Sequence, residues 1–234
     1  RAEGGSIMID YDVLITGNNL AYADGALGIS SVVLVSTAEG PLLFDVGHYG
    51  NRPALLRGLA RHGLRPADVP RVMLSHLHWD HSLNLDLFSG AEILVSRREL
   101  DYARAPHPED SYLPWGILEE LGRHRVTELH GPTELGPGLE AFPAPGHTPG
   151  LYALALETAD RGRVVLASDA IKYPKEVMIG VGDLVLDTVE ASRASIAAIL
   201  ARADRIVPGH FVEMRKVGNT WTWDQPAPFD LRLR

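Results

Sequence analysis

Three imidazoles and a carboxylate fall within six residues, His76-Leu77-His78-Trp79-Asp80-His81, directly after the β-branched and aliphatic run Arg71–Ser75. With ten histidines in 234 residues, such a pattern arises by chance in roughly one sequence of this composition in a thousand. In an extended or tightly turning segment, residues two apart point to one side. His76 and His78 can therefore grip one cation while Asp80 and His81 turn toward a neighbouring position. The chain contains no cysteine, which removes disulfides, thiolate zinc sites, iron–sulfur clusters and a cysteine nucleophile. Any metal must be held by nitrogen and oxygen. Imidazole with carboxylate suits Zn²⁺, with Fe or Mn as alternatives, and such a site leaves coordination positions for water, which means catalysis rather than scaffolding.

Three further candidates end or follow strand-like runs. His147 lies in the turn Pro145-Gly146-His147-Thr148-Pro149-Gly150, between Leu139–Ala144 and Tyr152–Glu157. Asp169 ends the run Arg163–Ser168, and His210, in Pro208-Gly209-His210, ends Asp204–Val207. Each alone is weak, but with the cluster they complete a two-metal set. Two cations roughly 3.5–4 Å apart ionise a shared water, polarise a carbonyl or phosphoryl oxygen and stabilise the leaving oxygen, so no protein nucleophile is required. Asp80 would orient that water and help shuttle a proton.

The remaining chain reads as an α/β layer protein. Val32–Thr37, Leu42–Val46 and Ala91–Ser96 are further strand candidates, Pro53–His62 is a helix ending at Gly63, and Thr188–Ala203 is the clearest helix. Its start pairs Asp187 with Glu190 as a capping box, and Val189, Ile196, Ile199 and Leu200 would form its buried face. No internal repeat divides the chain, so one domain over 1–234 is expected. Residues 1–6 read as a tag remnant or trimmed start, 97–132 as a lid-like insertion containing a helix at Trp115–His124, and 219–234 as an irregular tail or homodimer contact. A net charge of −8 and the absence of a basic run disfavour nucleic acid and anionic membranes. The longest apolar runs fall far short of the ~20 residues that span a bilayer. A small-molecule substrate and a cytoplasmic location are the resulting expectations.

The ordered set Asp45 (in Phe44-Asp45-Val46-Gly47), His76, His78, Asp80, His81, His147, Asp169 and His210 resembles the metallo-β-lactamase superfamily from about Val32 to His210. The resemblance implies an αββα sandwich, two mixed sheets faced by helices, with two Zn²⁺ at one edge. It also implies that His76, His78 and His147 hold one ion, that Asp80, His81 and His210 hold the other, and that Asp169 bridges them. Asp45 would hydrogen-bond the histidine loop and orient the ligands.

Within that superfamily the likeness is nearest to single-domain N-acyl-homoserine lactonases, implying a dinuclear hydrolase of a small ester or lactone with the shared water as nucleophile. Those lactonases often carry an active-site Tyr three residues after the bridging Asp. Here Lys172 holds that place and Tyr173 follows, so either is a candidate donor to the oxyanion. Two alternatives share the ligands. Residues 62–69 and 84–88 look like short animal relatives that cleave histone pre-messenger RNA, implying a phosphodiesterase. Glyoxalase II enzymes imply a thioester hydrolase, but only 24 residues follow His210 and Ser82-Leu83-Asn84 replaces their usual Gly-Gly. Persulfide dioxygenases, which use one iron, share much of the pattern.

Overall fold

Apolar side chains in the strands alternate between two buried environments, and this alternation builds the layers. In the computed structural model, residues 9–23 and 25–226 are described; residues 1–6, and 227–234 of the tail, lie outside the described residues. In chain order the strands are β1 (Asp10–Ile15), β2 (Ala21–Tyr22), β3 (Gly25–Ala26), β4 (Val32–Thr37), β5 (Gly40–Phe44), β6 (Arg71–Met73), β7 (Glu92–Ser96) and β8 (Arg125–Leu129). They continue as β9 (Thr133–Gly136), β10 (Leu139–Pro143), β11 (Tyr152–Thr158), β12 (Gly162–Ser168), β13 (Arg205–Pro208), β14 (Met214–Val217) and β15 (Thr220–Thr222). The helices are α1 (Arg52–Arg61), α2 (Trp79–Ser82), α3 (Arg97–Arg104), α4 (Ile117–Leu121), α5 (Pro174–Ile179) and α6 (Val189–Arg202).

One sheet runs β1-β4-β5-β6-β7-β8 and the other β15-β14-β13-β12-β11-β10-β9, both mixing parallel and antiparallel pairs. Val33, Val35, Leu42 and Phe44 of the first sheet share one core with Leu154, Leu156, Val164 and Leu166 of the second. The intervening Leu34 and Leu43 face the other way, onto Leu55 and Leu59 of α1. Val165 and Ile206 likewise face Ile196 and Ile199 of α6. Helix, sheet, sheet, helix is therefore the layer order, the expected αββα sandwich.

Several local expectations are corrected. The α6 cap is Thr188, whose hydroxyl accepts from Ala191 N at 3.1 Å, not an Asp187–Glu190 box. Of the expected buried face of α6, Val189 is exposed, whereas Ile196 and Ile199 face inward with Ser192 and Ser195, and Leu200 packs partly buried against the same core. The helix expected over Trp115–His124 is only α4, and Trp115 lies fully outside it and exposed. Residues 220–222 of the expected irregular tail pair with β14 as the sheet's edge. The segment 97–132 contains α3, α4 and β8, the last an ordinary edge strand.

The ends of β5, β6, β12 and β13 and the β10–β11 turn converge at one edge of the sandwich. Asp45 and Ser168, which follow or end β5 and β12, have φ of 59° and 47°, the two positive values outside glycine among the described residues. Such conformations persist where the surroundings over-determine them, commonly at functional sites. Here a bond between Ser75 Oγ and Ser168 Oγ at 2.7 Å and one from Tyr152 N to Ser75 O at 2.9 Å tie the two sheets together.

Candidate metal centre

Leu77 is fully buried in the core while His76 and His78, on either side, face away from it, as alternation along an extended segment requires. His78 has extended dihedrals and leads into α2, whose single turn carries Asp80 and His81 to the same edge. Gly146 permits the tight turn before His147 through its φ of 141° and its packing against Ser192. Gly209 brings the His210 backbone so near Asp169 that a β-carbon there would overlap Oδ1.

All seven residues of the expected ligand set come together. Three groups, His76–His78–His147, His76–His81–Asp169 and Asp80–His81–His210, each bring one ligand atom per residue within 4.8 Å of the others. Every histidine is anchored through one ring nitrogen and presents the other inward. His81 Nδ1 donates to Asp45 Oδ2 at 2.8 Å, His210 Nδ1 to Asn18 O at 2.9 Å and His147 Nδ1 to Leu184 O at 3.2 Å. His76 Nδ1 meets Ser75 Oγ at 3.0 Å, and His78 Nε2 meets Asp110 Oδ2 at 3.1 Å.

The inward nitrogens lack conventional partners. His76 Nε2, His81 Nε2 and Asp169 Oδ1 are buried without a hydrogen bond. His78 Nδ1 and His147 Nε2 stand 3.0 Å apart, two lone-pair positions converging on the same space. A buried polar atom without a partner is costly, and these atoms together fit a divalent cation. Asp169 lies between the groups: Oδ2 is 3.3 Å from His147 Nε2, while Oδ1 is 3.3 Å from both His81 Nε2 and His210 Nε2.

The electrostatics divide the same way. Burial, with neighbouring imidazoles, pushes His76 well below the ordinary histidine range; burial also lowers His147. For His81 burial acts in the same direction but is outweighed by Asp80, Asp169 and Asp45, which hold it well above that range. His210 is raised too, burial being overcome chiefly by Asp169. Asp169 itself is held well below the usual carboxylate range, because His210, His81 and His147 outweigh burial.

The centre opens into a pocket of about 240 Å³, walled by Leu20, Ala21, Trp79, Tyr112 and Leu184 and lined also by His78, Asp80, His147, Asp169 and His210. Lys172 and Tyr173 both line it. Lys172 is buried, its Nζ 3.1 Å from Glu176 Oε1 without hydrogen-bond geometry. The Tyr173 hydroxyl is engaged by the Asp183 carboxylate, beside Lys175. Of the segment expected to act as a lid, Tyr112 is the residue lining the pocket.

The family model of the metallo-beta-lactamase superfamily matches residues 25–210, which include every candidate ligand. The chain belongs to that superfamily. Mouse metallo-beta-lactamase domain-containing protein 1 is 34% identical over 225 residues, covering 94% of this chain and 78% of the mouse protein. An N-acyl homoserine lactonase from a Bacillus species is 35% identical over 166 residues, 61% of this chain and 64% of that one. The solved structure of AidC, a dizinc quorum-quenching lactonase, superposes with a TM-score of 0.65 at 21% identity, covering 89% of this chain and 83% of that one. This metallo-beta-lactamase chain is a metal-dependent hydrolase, and no helix among its described residues is long and apolar enough to cross a membrane.

Sequence reasoning missed several groups that shape the superfamily site here. The fully buried Glu99, on α3, accepts from Leu77 N at 3.1 Å, Thr148 Oγ1 at 2.8 Å and Gly150 N at 3.1 Å, fastening the His76–His81 loop to the His147 turn. Nothing in the local pattern around Glu99 or Asp110 distinguishes them from surface acids. Ser75 and Ser168 carried a signal, since each directly precedes a ligand. The β2–β3 hairpin, which supplies Ala21 and Ala26 to the pocket, is too short to show a strand pattern.

Proposed function

We propose that the protein is a dinuclear zinc hydrolase of a small ester or lactone, similar in action to N-acyl-homoserine lactonases. The observation that carries this reading is Asp169, whose two oxygens face different histidine groups in a small, largely apolar-walled pocket. His76, His78 and His147 would hold one ion, Asp80, His81 and His210 the other, and Asp169 would bridge them. Nitrogen and oxygen ligands of this kind suit zinc and also accept iron or manganese. Bound ions would supply ionised water at neutral pH and Lewis-acid polarisation of the scissile carbonyl.

The chain's own residues do the rest. Asp80 Oδ2, 3.5 Å from His210 Nε2, faces the reaction space and can accept the proton of an attacking water and return it to the leaving oxygen. Lys172, the single Lys or Arg among the pocket's lining residues, is the candidate oxyanion donor, its ammonium 3.1 Å from the buried Glu176 carboxylate but without a hydrogen bond to it. Tyr173 serves as wall, its hydroxyl already committed to Asp183. The tether of Asp45 to both Ser75 and His81 keeps the ligand loop in register.

A phosphodiesterase is the second reading, carried by the likeness of residues 62–69 and 84–88 to short animal relatives that cleave histone pre-messenger RNA. Against it stands a pocket lined by Asp80, Asp169 and Asp183 with Lys172 as its one lysine or arginine, a poor match for a polyanionic backbone. Zinc-loaded protein offered acyl-homoserine lactones, simple lactones, thioesters and phosphodiesters separates these readings. Lactone opening is expected, and His76→Ala or Asp169→Ala should abolish it; turnover of phosphodiesters alone would reverse the order.

A further inference from the structure

We infer that Asp110, held by Tyr102, is a positioning residue that fixes which nitrogen of His78 binds metal and couples that ligand to the pocket wall. Residues 104–109 are all solvent-exposed, yet the Asp110 side chain is completely buried. Its hydrogen-bond partners are His78 Nε2 at 3.1 Å, Tyr102 OH at 2.7 Å and Tyr112 N at 2.9 Å; none is a lysine or arginine. A buried carboxylate is costly unless its partners compensate it, so this arrangement needs a reason beyond loop packing.

His78 supplies the reason. Its Nδ1 points to His147 Nε2, so Nε2 must carry the proton that Asp110 accepts if Nδ1 is to keep a free lone pair. A carboxylate in this position fixes the tautomer, holds the ring plane and raises the basicity of the ligating nitrogen. Tyr102 accounts for how the acid stays in place: α3 is packed on the core, Tyr102 is buried, and its hydroxyl donates to the same Oδ2 that faces His78. The other oxygen, Oδ1, accepts from the backbone of Tyr112, whose carbonyl in turn accepts from Trp79 N at 3.0 Å. Tyr112 and Trp79 both line the pocket, so one carboxylate orders a ligand and part of the substrate wall together.

This inference rests on the two-metal reading, and its test separates the two. Metal-depleted wild type, Asp110→Ala, Asp110→Asn and Tyr102→Phe are titrated with Co²⁺ and followed by visible absorption, with folding checked by far-UV circular dichroism. Wild type should bind two ions. Asp110→Ala should weaken one of the two sites roughly 10- to 100-fold and leave the other within about threefold. Asp110→Asn, whose side-chain oxygen can accept the same bond, should recover part of the loss, and Tyr102→Phe should lie between Asn and wild type. Long-range proton–nitrogen spectra of histidine-labelled protein should place the His78 proton on Nε2 in wild type and lose that assignment in Asp110→Ala. Two sites of unchanged affinity in both Asp110→Ala and Tyr102→Phe would overturn the inference alone. A wild type that binds fewer than two ions would overturn the two-metal reading beneath it.

Discussion

Asp45 holds a left-handed backbone conformation and uses both carboxylate oxygens, Oδ1 on Ser75 N and Oδ2 on Ser75 Oγ and His81 Nδ1, each at 2.8 Å. Asp45→Asn tolerates the backbone but replaces an acceptor by a donor. It should weaken metal at the His81 group by about 10- to 100-fold, read by metal titration. Glu99 poses a similar demand, three donors on one buried carboxylate. Glu99→Gln cannot accept from all three, so a loss of about 1–3 kcal/mol is expected in denaturant unfolding. The raised pKa values of His81 and His210 give a pH prediction with a definite sign. In the metal-free protein these rings hold their protons more tightly than an ordinary histidine does, so a cation must displace them and its affinity falls as pH falls. The protons also stabilise the metal-free fold: that contribution is complete below the ordinary histidine pKa and is lost as pH rises through the raised values. Calorimetry of zinc binding in buffers of different ionisation enthalpy should register net proton release near neutral pH. The candidate ligands were legible at this scale because the His76–His81 cluster is chemically rare and closely spaced, whereas Glu99 and Asp110 reach the site only through tertiary packing.

At the scale of elements, the site is a product of strand ends. Eight strands were legible in the sequence because the inner strands carry continuous apolar runs, buried on both faces. Strands at or next to a sheet edge were not: β8 (RVTEL), β9 (TELG), β14 (MRKV) and β15 (TWT) are short, polar and partly solvated. The α6 start misled because Asp187 and Thr188 are both good caps, and the register of the helix, not composition, selected Thr188. The junction of β13 with His210 offers a test of the strand-end geometry. Gly209→Ala would push a methyl group into Asp169 Oδ1 and the Ser168 backbone. Metal titration should show both sites impaired, while circular dichroism still reports the sandwich. Retention of two full-affinity sites would mean the junction is softer than its packing implies.

For the whole molecule, the two sheets share a core, and each supplies part of one centre: His76, His78, Asp80 and His81 follow the first sheet's β6, while His147, Asp169 and His210 follow strands of the second. A cation bound across that edge joins the halves of the sandwich, so metal should stabilise the native state by mass action, and chelation should lower the thermal midpoint. The α/β layering was legible from the alternation of elements, and the αββα arrangement followed from the family resemblance that the ordered ligand set carries. The pocket's outer wall was not, since Leu20, Ala21 and Tyr112 come from a two-residue-stranded hairpin and a loop with no local substrate code. The most direct test is a titration of metal-depleted protein with zinc while the acid released on opening of an acyl-homoserine lactone is followed by pH-stat. Activity rising with the metal content and levelling at two zinc ions per chain is the predicted result. Activity that levels at a single ion per chain, or a fully zinc-loaded protein that leaves the lactone closed while cleaving a phosphodiester, would contradict it.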